Sequence, residues 1–169
     1  MEKKKNDFIA QGSILAIASI LVRVMGMIYR IPMTAIIGDK GNGFYSYAYS
    51  VYTILLLLSS YSLPLAVSKM VSAKAQLGQW RNVKRVFICA IAFAIGIGTT
   101  FGLIVLIGAQ FFTRVFFHSE LAAIALRFMA PTILIMALLG VFRGFFQGLQ
   151  NTLPTAVSQI VEGLINAIM

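Results

Sequence analysis

Hydrophobic positions along the chain gather into five runs separated by short polar clusters: Phe8–Ile37, Phe44–Val71, Val86–Phe112, Leu121–Phe142 and Thr155–Met169. The first four exceed the ~20 residues a helix needs to cross a hydrocarbon core, and none keeps the strict alternation of a barrel strand. The pattern therefore predicts an all-α fold, a polytopic helical membrane protein with about five transmembrane helices in one membrane domain over residues 1–169. The fifth run is shorter than a full crossing and carries Glu162 and Asn166. It predicts a truncated last span, completed by missing C-terminal helices or by a partner that supplies them.

The polar clusters read as connections. Gly38–Gly43, GDKGNG, has the glycines and asparagine of a tight turn. Ser72–Arg85 reads as a partly helical loop with Trp80 at headgroup level, Thr113–Glu120 as a loop on the opposite side, and Arg143–Pro154 as a return to the first side.

Composition agrees: 59% of residues are hydrophobic and only 11% charged, with a mean hydropathy of +0.88. An average soluble domain carries about 25% charged residues. The net charge of +9 would suit nucleic acid, but its distribution argues against that partner. Lys3, Lys4 and Lys5 precede the first run, and Lys69, Lys74, Arg81, Lys84 and Arg85 surround the second connection, whereas Lys40 and Arg114 lie in the alternate loops. By the positive-inside rule the N-terminus and the second connection are expected on the cytoplasmic side of the membrane. Cys89 is the single cysteine, which excludes an internal disulfide and a cysteine metal cluster. The basic start is followed by an apolar run too long for a cleaved signal, so the first helix is expected to remain.

Small residues recur at every fourth position in two rows, Ala90, Ala94, Gly98 and Gly102 in the third run, and Gly140, Gly144 and Gly148 around the end of the fourth. Rows of this kind let helix backbones approach closely, and helix packing is their expected role.

Chemistry concentrates in RVMGMIYRIP, Arg23–Pro32. Arg23 and Arg30 project from nearly one helix face, which reads Gly12, Ala16, Ser19, Arg23, Gly26, Arg30. A guanidinium within the membrane needs a water-filled cavity or a partner. Of five acidic residues only Glu162 lies deep, so with Arg127 counted the cavity is expected to be electropositive and to receive an anion. The planar guanidinium fork suits phosphate, and a lipid-borne phosphate can enter such a cavity from the side. The alternative for Arg30 is snorkelling to headgroups beside Tyr29. Glu162 and Arg127 are candidates for an ion or pairing site.

Four stretches, LVRVMGMIYRIPMTAIIGDKGNGFYSYAYSVY, SLPLAVSKMVSAKAQLGQW, ALRFMAPTILIMALLGVFRGFFQGLQNTLPTAVSQIVE and the basic loop between, give the chain a family resemblance. It resembles the multidrug/oligosaccharidyl-lipid/polysaccharide exporter superfamily, in the polysaccharide-biosynthesis branch that holds stage V sporulation protein B-like proteins and lipid II flippases. The resemblance implies two pseudosymmetric lobes around a cavity open alternately to each side, of which this chain is an incomplete N-terminal lobe. It also implies flipping of a lipid-linked oligosaccharide or peptidoglycan precursor of the undecaprenyl-pyrophosphate type, with membrane lipid as surroundings and no cofactor. Arg23 matches a pyrophosphate-binding position in the R-V-x-G pattern; Arg30 follows with a spacing one residue longer than the pattern.

Two other transport or membrane roles remain open at this level: a cation-coupled drug exporter of the same superfamily, against which the basic stripe argues, and a non-transporting fragment or scaffold. An enzyme acting on lipid-linked sugars finds no support. His118, Ser119 and Glu120 are a lone loop triplet, and no paired carboxylates, metal-ligand spacing or glycine-rich phosphate loop is present.

Overall fold

The computed structural model describes the backbone of residues 2–60, 62–117 and 121–168, and the side chains of residues 12–57, 62–115 and 122–165. The His118–Glu120 triplet lies outside the described residues, as do the side chains of Lys3, Lys4, Lys5 and Asn166. Five helices account for nearly all of the described chain: α1 (Glu2–Ser60), α2 (Leu63–Gln76), α3 (Trp80–Phe117), α4 (Leu121–Gly148) and α5 (Leu153–Ile168). The protein is an all-α membrane protein. Three stretches, Gly12–Leu57, Trp80–Val115 and Ala122–Gly148, are long and apolar enough to cross a bilayer, and residues such as Ile31, Ile36, Ile107 and Phe128 turn outward, as lipid-facing side chains do.

α1 joins two helical arms, residues 2–37 and 39–60, at Gly38, whose φ of 70° and ψ of 173° are not helical. Only glycine adopts such a conformation without steric cost. A straight helix would hold Val22 and Tyr52 about 45 Å apart, yet both reach the same turn of α5. A methyl group at Gly163 would lie 3.4 Å from the Val22 side chain, and Tyr52 is within electrostatic reach of Glu162. Tyr45 likewise feels Tyr29 and Arg30. The chain therefore turns back at Gly38, where the sequence predicts a six-residue turn over Gly38–Gly43. One residue suffices because a single glycine rotation redirects the helix without breaking its neighbours.

The second arm of α1 and α2 together follow the predicted Phe44–Val71 run, with α2 starting anew at Leu63. Pro64 falls in its first turn, where the missing N–H has no helical acceptor to lose. Two core clusters lie one above the other. Ala48 and Val51 of the second arm pack with Val105, Ala109, Ala123, Leu126, Ala130 and Ile133. Nearer the α2–α3 connection, Leu63, Val67 and Val71 pack with Val83, Ala90, Ala94, Ala137 and Val141.

The small-residue rows are where backbones touch. A methyl group at Gly98 would sit 2.9 Å from Leu134 Cα, at Gly144 2.5 Å from the Pro64 carbonyl oxygen, and at Gly148 2.8 Å from that of Ser68. Gly98 thus seals α3 on α4, and the Gly144–Gly148 pair seals α4 on α2. Several hydroxyls within the helices bond to the preceding turn: Thr113 Oγ1 donates to the Ala109 carbonyl at 2.9 Å and Ser19 Oγ to that of Leu15 at 2.8 Å, as suits an apolar environment.

Both helix ends on the basic side close with the same hydrogen-bond pattern. Gly78 N–H donates to the Ala75 carbonyl and Gln79 N–H to that of Lys74; Gln150 N–H donates to Gln147 and Asn151 N–H to Phe146. These are Schellman closures. Gly78 takes the left-handed position in the first, at φ 67°, and Gln150, with a side chain, takes it in the second, at φ 60°.

Candidate functional site

The arginine stripe lies on the first arm of α1. Ala18 is buried at 2% exposure, and Val22 and Met25 meet Gly163 of α5, so these positions mark the face the arm turns into the bundle. Arg23 and Arg30 stand about a quarter-turn or more round the helix from that face, and both are exposed. Ser19 and Gly26, on the same stripe, are half-buried. Among the described residues neither arginine has an ion-pair partner; Arg30 stands within electrostatic reach of Tyr45 on the second arm. Two positive charges thus sit on a flank of small residues, presented outward.

Arg127 is exposed on α4, beside the fully buried Leu126. It does not meet Glu162. The partner of Glu162 is Arg143, whose Nη2 donates to the carboxylate Oε2 at 2.6 Å. Arg143 Nε also approaches Ser158 Oγ at 3.4 Å, and Ser158 Oγ donates to the Thr155 carbonyl at 2.8 Å. The hydropathy pattern predicts Arg143 in the connection after Phe142. α4 instead continues to Gly148, so Arg143 lies on a helix that runs antiparallel to α5. The row Gly140, Gly144, Gly148 was the available signal, since its fourfold spacing has meaning only if the helix extends that far.

α5 turns its polar positions inward. Thr155, Ser158, Gln159 and Glu162 share one face, while Val157, Val161, Leu164 and Ile165 face outward. The buried Thr155 Oγ1 and Gln159 Oε1 have no hydrogen-bond partner among the described residues. α5 packs chiefly against α1 and only lightly against α4. Between α4 and α5 opens a cleft of about 830 Å³, walled by Ile135, Met136, Leu139, Val157 and Val161, with Thr132, Ser158 and Glu162 as polar groups along it. Thr132, whose Oγ1 donates to the Met129 carbonyl at 2.6 Å, stands close to Tyr52 of the second arm.

Guanidinium groups of this kind offer charge-assisted hydrogen bonds to an anion. With the geometry in place, comparison with known proteins decides the family. The sequence profile described as polysaccharide biosynthesis protein matches residues 8–169. The chain belongs to the polysaccharide biosynthesis protein family. Lipid II flippase MurJ of Bacillus subtilis (strain 168) is 27% identical over 163 residues, which span 92% of this chain and 30% of that protein. Stage V sporulation protein B of the same organism is 27% identical over 161 residues, 95% of this chain and 31% of that protein. The uncharacterized membrane protein YabM is 28% identical over 159 residues, 94% of this chain and 29% of that protein. The chain thus spans less than a third of the length of these family relatives. No solved structure matches it.

Proposed function

We propose that this chain forms part of a membrane translocator that flips a lipid-linked oligosaccharide or peptidoglycan precursor, with Arg23 and Arg30 contacting the pyrophosphate. The observation that carries this reading is the exposed pair of arginines, without an ion-pair partner among the described residues, on a stripe of small residues in the first arm of α1. A cation left unpaired within a membrane-length helix is costly unless water or an anion meets it. Small neighbours such as Gly26 leave room for the phosphate, and a guanidinium can give two parallel hydrogen bonds to it. The similarity to Lipid II flippase MurJ supports the same class of cargo.

Alternating access supplies the cycle. A second lobe faces the stripe, provided by helices beyond these 169 residues or by a partner chain, and the two rock about a site near the midplane. The sugar headgroup enters the space between the two lobes while its polyprenyl tail stays in lipid. The basic residues around the α2–α3 connection support a cytoplasmic position for that side and for the N-terminus. The test is transport of a fluorescent undecaprenyl-pyrophosphoryl sugar in proteoliposomes holding the complete transporter. Arg23→Ala is expected to abolish flipping while insertion is unchanged; undiminished flipping by that variant refutes the assignment.

A further inference from the structure

Arg143 and Glu162 stand at the level of Arg23. Gly163 meets Val22 and Met25, so Glu162 and Arg23 each sit one residue from the same α1–α5 contact, and Glu162 reaches Arg143 at 2.6 Å. Three charged side chains thus lie in one layer of the bundle, two positive and one negative. Their contact is unsaturated. A guanidinium carries five N–H donors in a planar fork, and among the described residues Arg143 gives one to a single carboxylate oxygen and a long one, at 3.4 Å, to Ser158. The carboxylate is also the more open partner: the Glu162 side chain is 38% exposed against 19% for Arg143, and it is Glu162 that lines the cleft. Glu162 therefore stands between the guanidinium and the open space, where an entering anion would have to take its place.

We propose that Arg143 is a further anion-binding residue of the same site, held in reserve by Glu162, and that a lipid-borne pyrophosphate displaces the carboxylate from it. The carboxylate is the chemical stand-in for a phosphate oxygen, since both accept charge-assisted hydrogen bonds from the same fork. A pyrophosphate offers several such oxygens and can engage donors that one carboxylate leaves unused. Displacement also frees α5, which packs chiefly on α1 and lightly on α4. Anion capture at Arg143 thereby loosens α5, and with it the first arm bearing Arg23, from α4. The inference rests on the reading of Arg23 and Arg30 as pyrophosphate contacts and adds a third residue and its internal competitor.

The experiment is titration of farnesyl pyrophosphate into the complete transporter in phosphatidylcholine nanodiscs, read by calorimetry. Glu162→Gln, which removes the competing charge, is expected to tighten binding about tenfold, the scale of a typical coupling between two ligands. Arg143→Gln should weaken binding, and in Arg143→Gln/Glu162→Gln the gain from the glutamine should vanish. Unchanged or weaker binding by Glu162→Gln overturns the proposal. So does a gain that persists without Arg143, which would mark general electrostatics in place of exchange, or a failure of every variant to bind the probe. If Glu162→Gln does not fold, Glu162→Asp, with its shortened reach to Arg143, should tighten binding by a smaller factor; no gain there also overturns exchange. Arg23→Ala separates the two readings. Wild-type affinity in that variant, with the Arg143-dependent gain intact, removes Arg23 from the site and leaves the exchange standing.

Discussion

α4 meets α3 along one flank and α5 along another, and the two contacts share little. Toward α3 the helices close on Gly98 and Gly102, with backbone and side chain within a methyl group's reach, over a dry cluster of alanine, valine, leucine and isoleucine. Toward α5 the helices stand apart around a cleft of about 830 Å³ and, among the described residues, are linked through Arg143 to Glu162 and Ser158. Without a hydrophobic drive between helices in lipid, close van der Waals contact supplies cohesion. The flank rich in such contact is built to stay put. The flank held by a polar link is where the charged groups lie.

That contrast can be broken from either flank. The largest effect is expected where α4 is already sealed: Gly144→Leu drives a side chain into the Pro64 backbone and should cost about 3 kcal/mol or more, read as a lowered midpoint of thermal unfolding by circular dichroism in detergent. Arg143→Ala leaves the Glu162 carboxylate without its partner. Because that carboxylate is more than one-third exposed, the loss should be about 1–2 kcal/mol, below the value for a fully buried pair, and Arg143→Lys should recover part of it in the same assay. Gln150→Gly relieves a left-handed residue at the α4–α5 turn and should raise stability by about 1 kcal/mol. Val157→Leu, an added methylene on the open cleft wall, should change stability by less than about 0.5 kcal/mol. If it proved as damaging as Gly144→Leu, the cleft would be a packed interface and the contrast would fall.

Most of the architecture was legible because membrane helices write themselves as long apolar runs, and because Ala90, Ala94, Gly98 and Gly102 keep a helical spacing that has one physical use. The reversal within α1 was visible only as a glycine-rich cluster; that it needs a single residue depends on the backbone angles of Gly38, which composition does not state. The stripe bearing Arg23 and Arg30 follows from helical periodicity, and the structure presents both residues outward. The Arg143–Glu162 pair was hidden for a geometric reason. Its members lie 19 positions apart on different helices, and their meeting depends on how far α4 continues and how α5 folds back. Arg127, equally basic and on the same helix, points elsewhere, and periodicity alone could not choose between the two as partner of Glu162.

The most direct measurement is phosphorus-31 NMR of an isoprenoid pyrophosphate in nanodiscs carrying the wild-type chain or Arg23→Ala. Broadening and shift of the pyrophosphate signals with the wild type, lost in Arg23→Ala while its unfolding midpoint is unchanged, is the predicted result. Signals equally perturbed by both proteins, or by neither, would contradict the claim that the first arm of α1 holds the pyrophosphate.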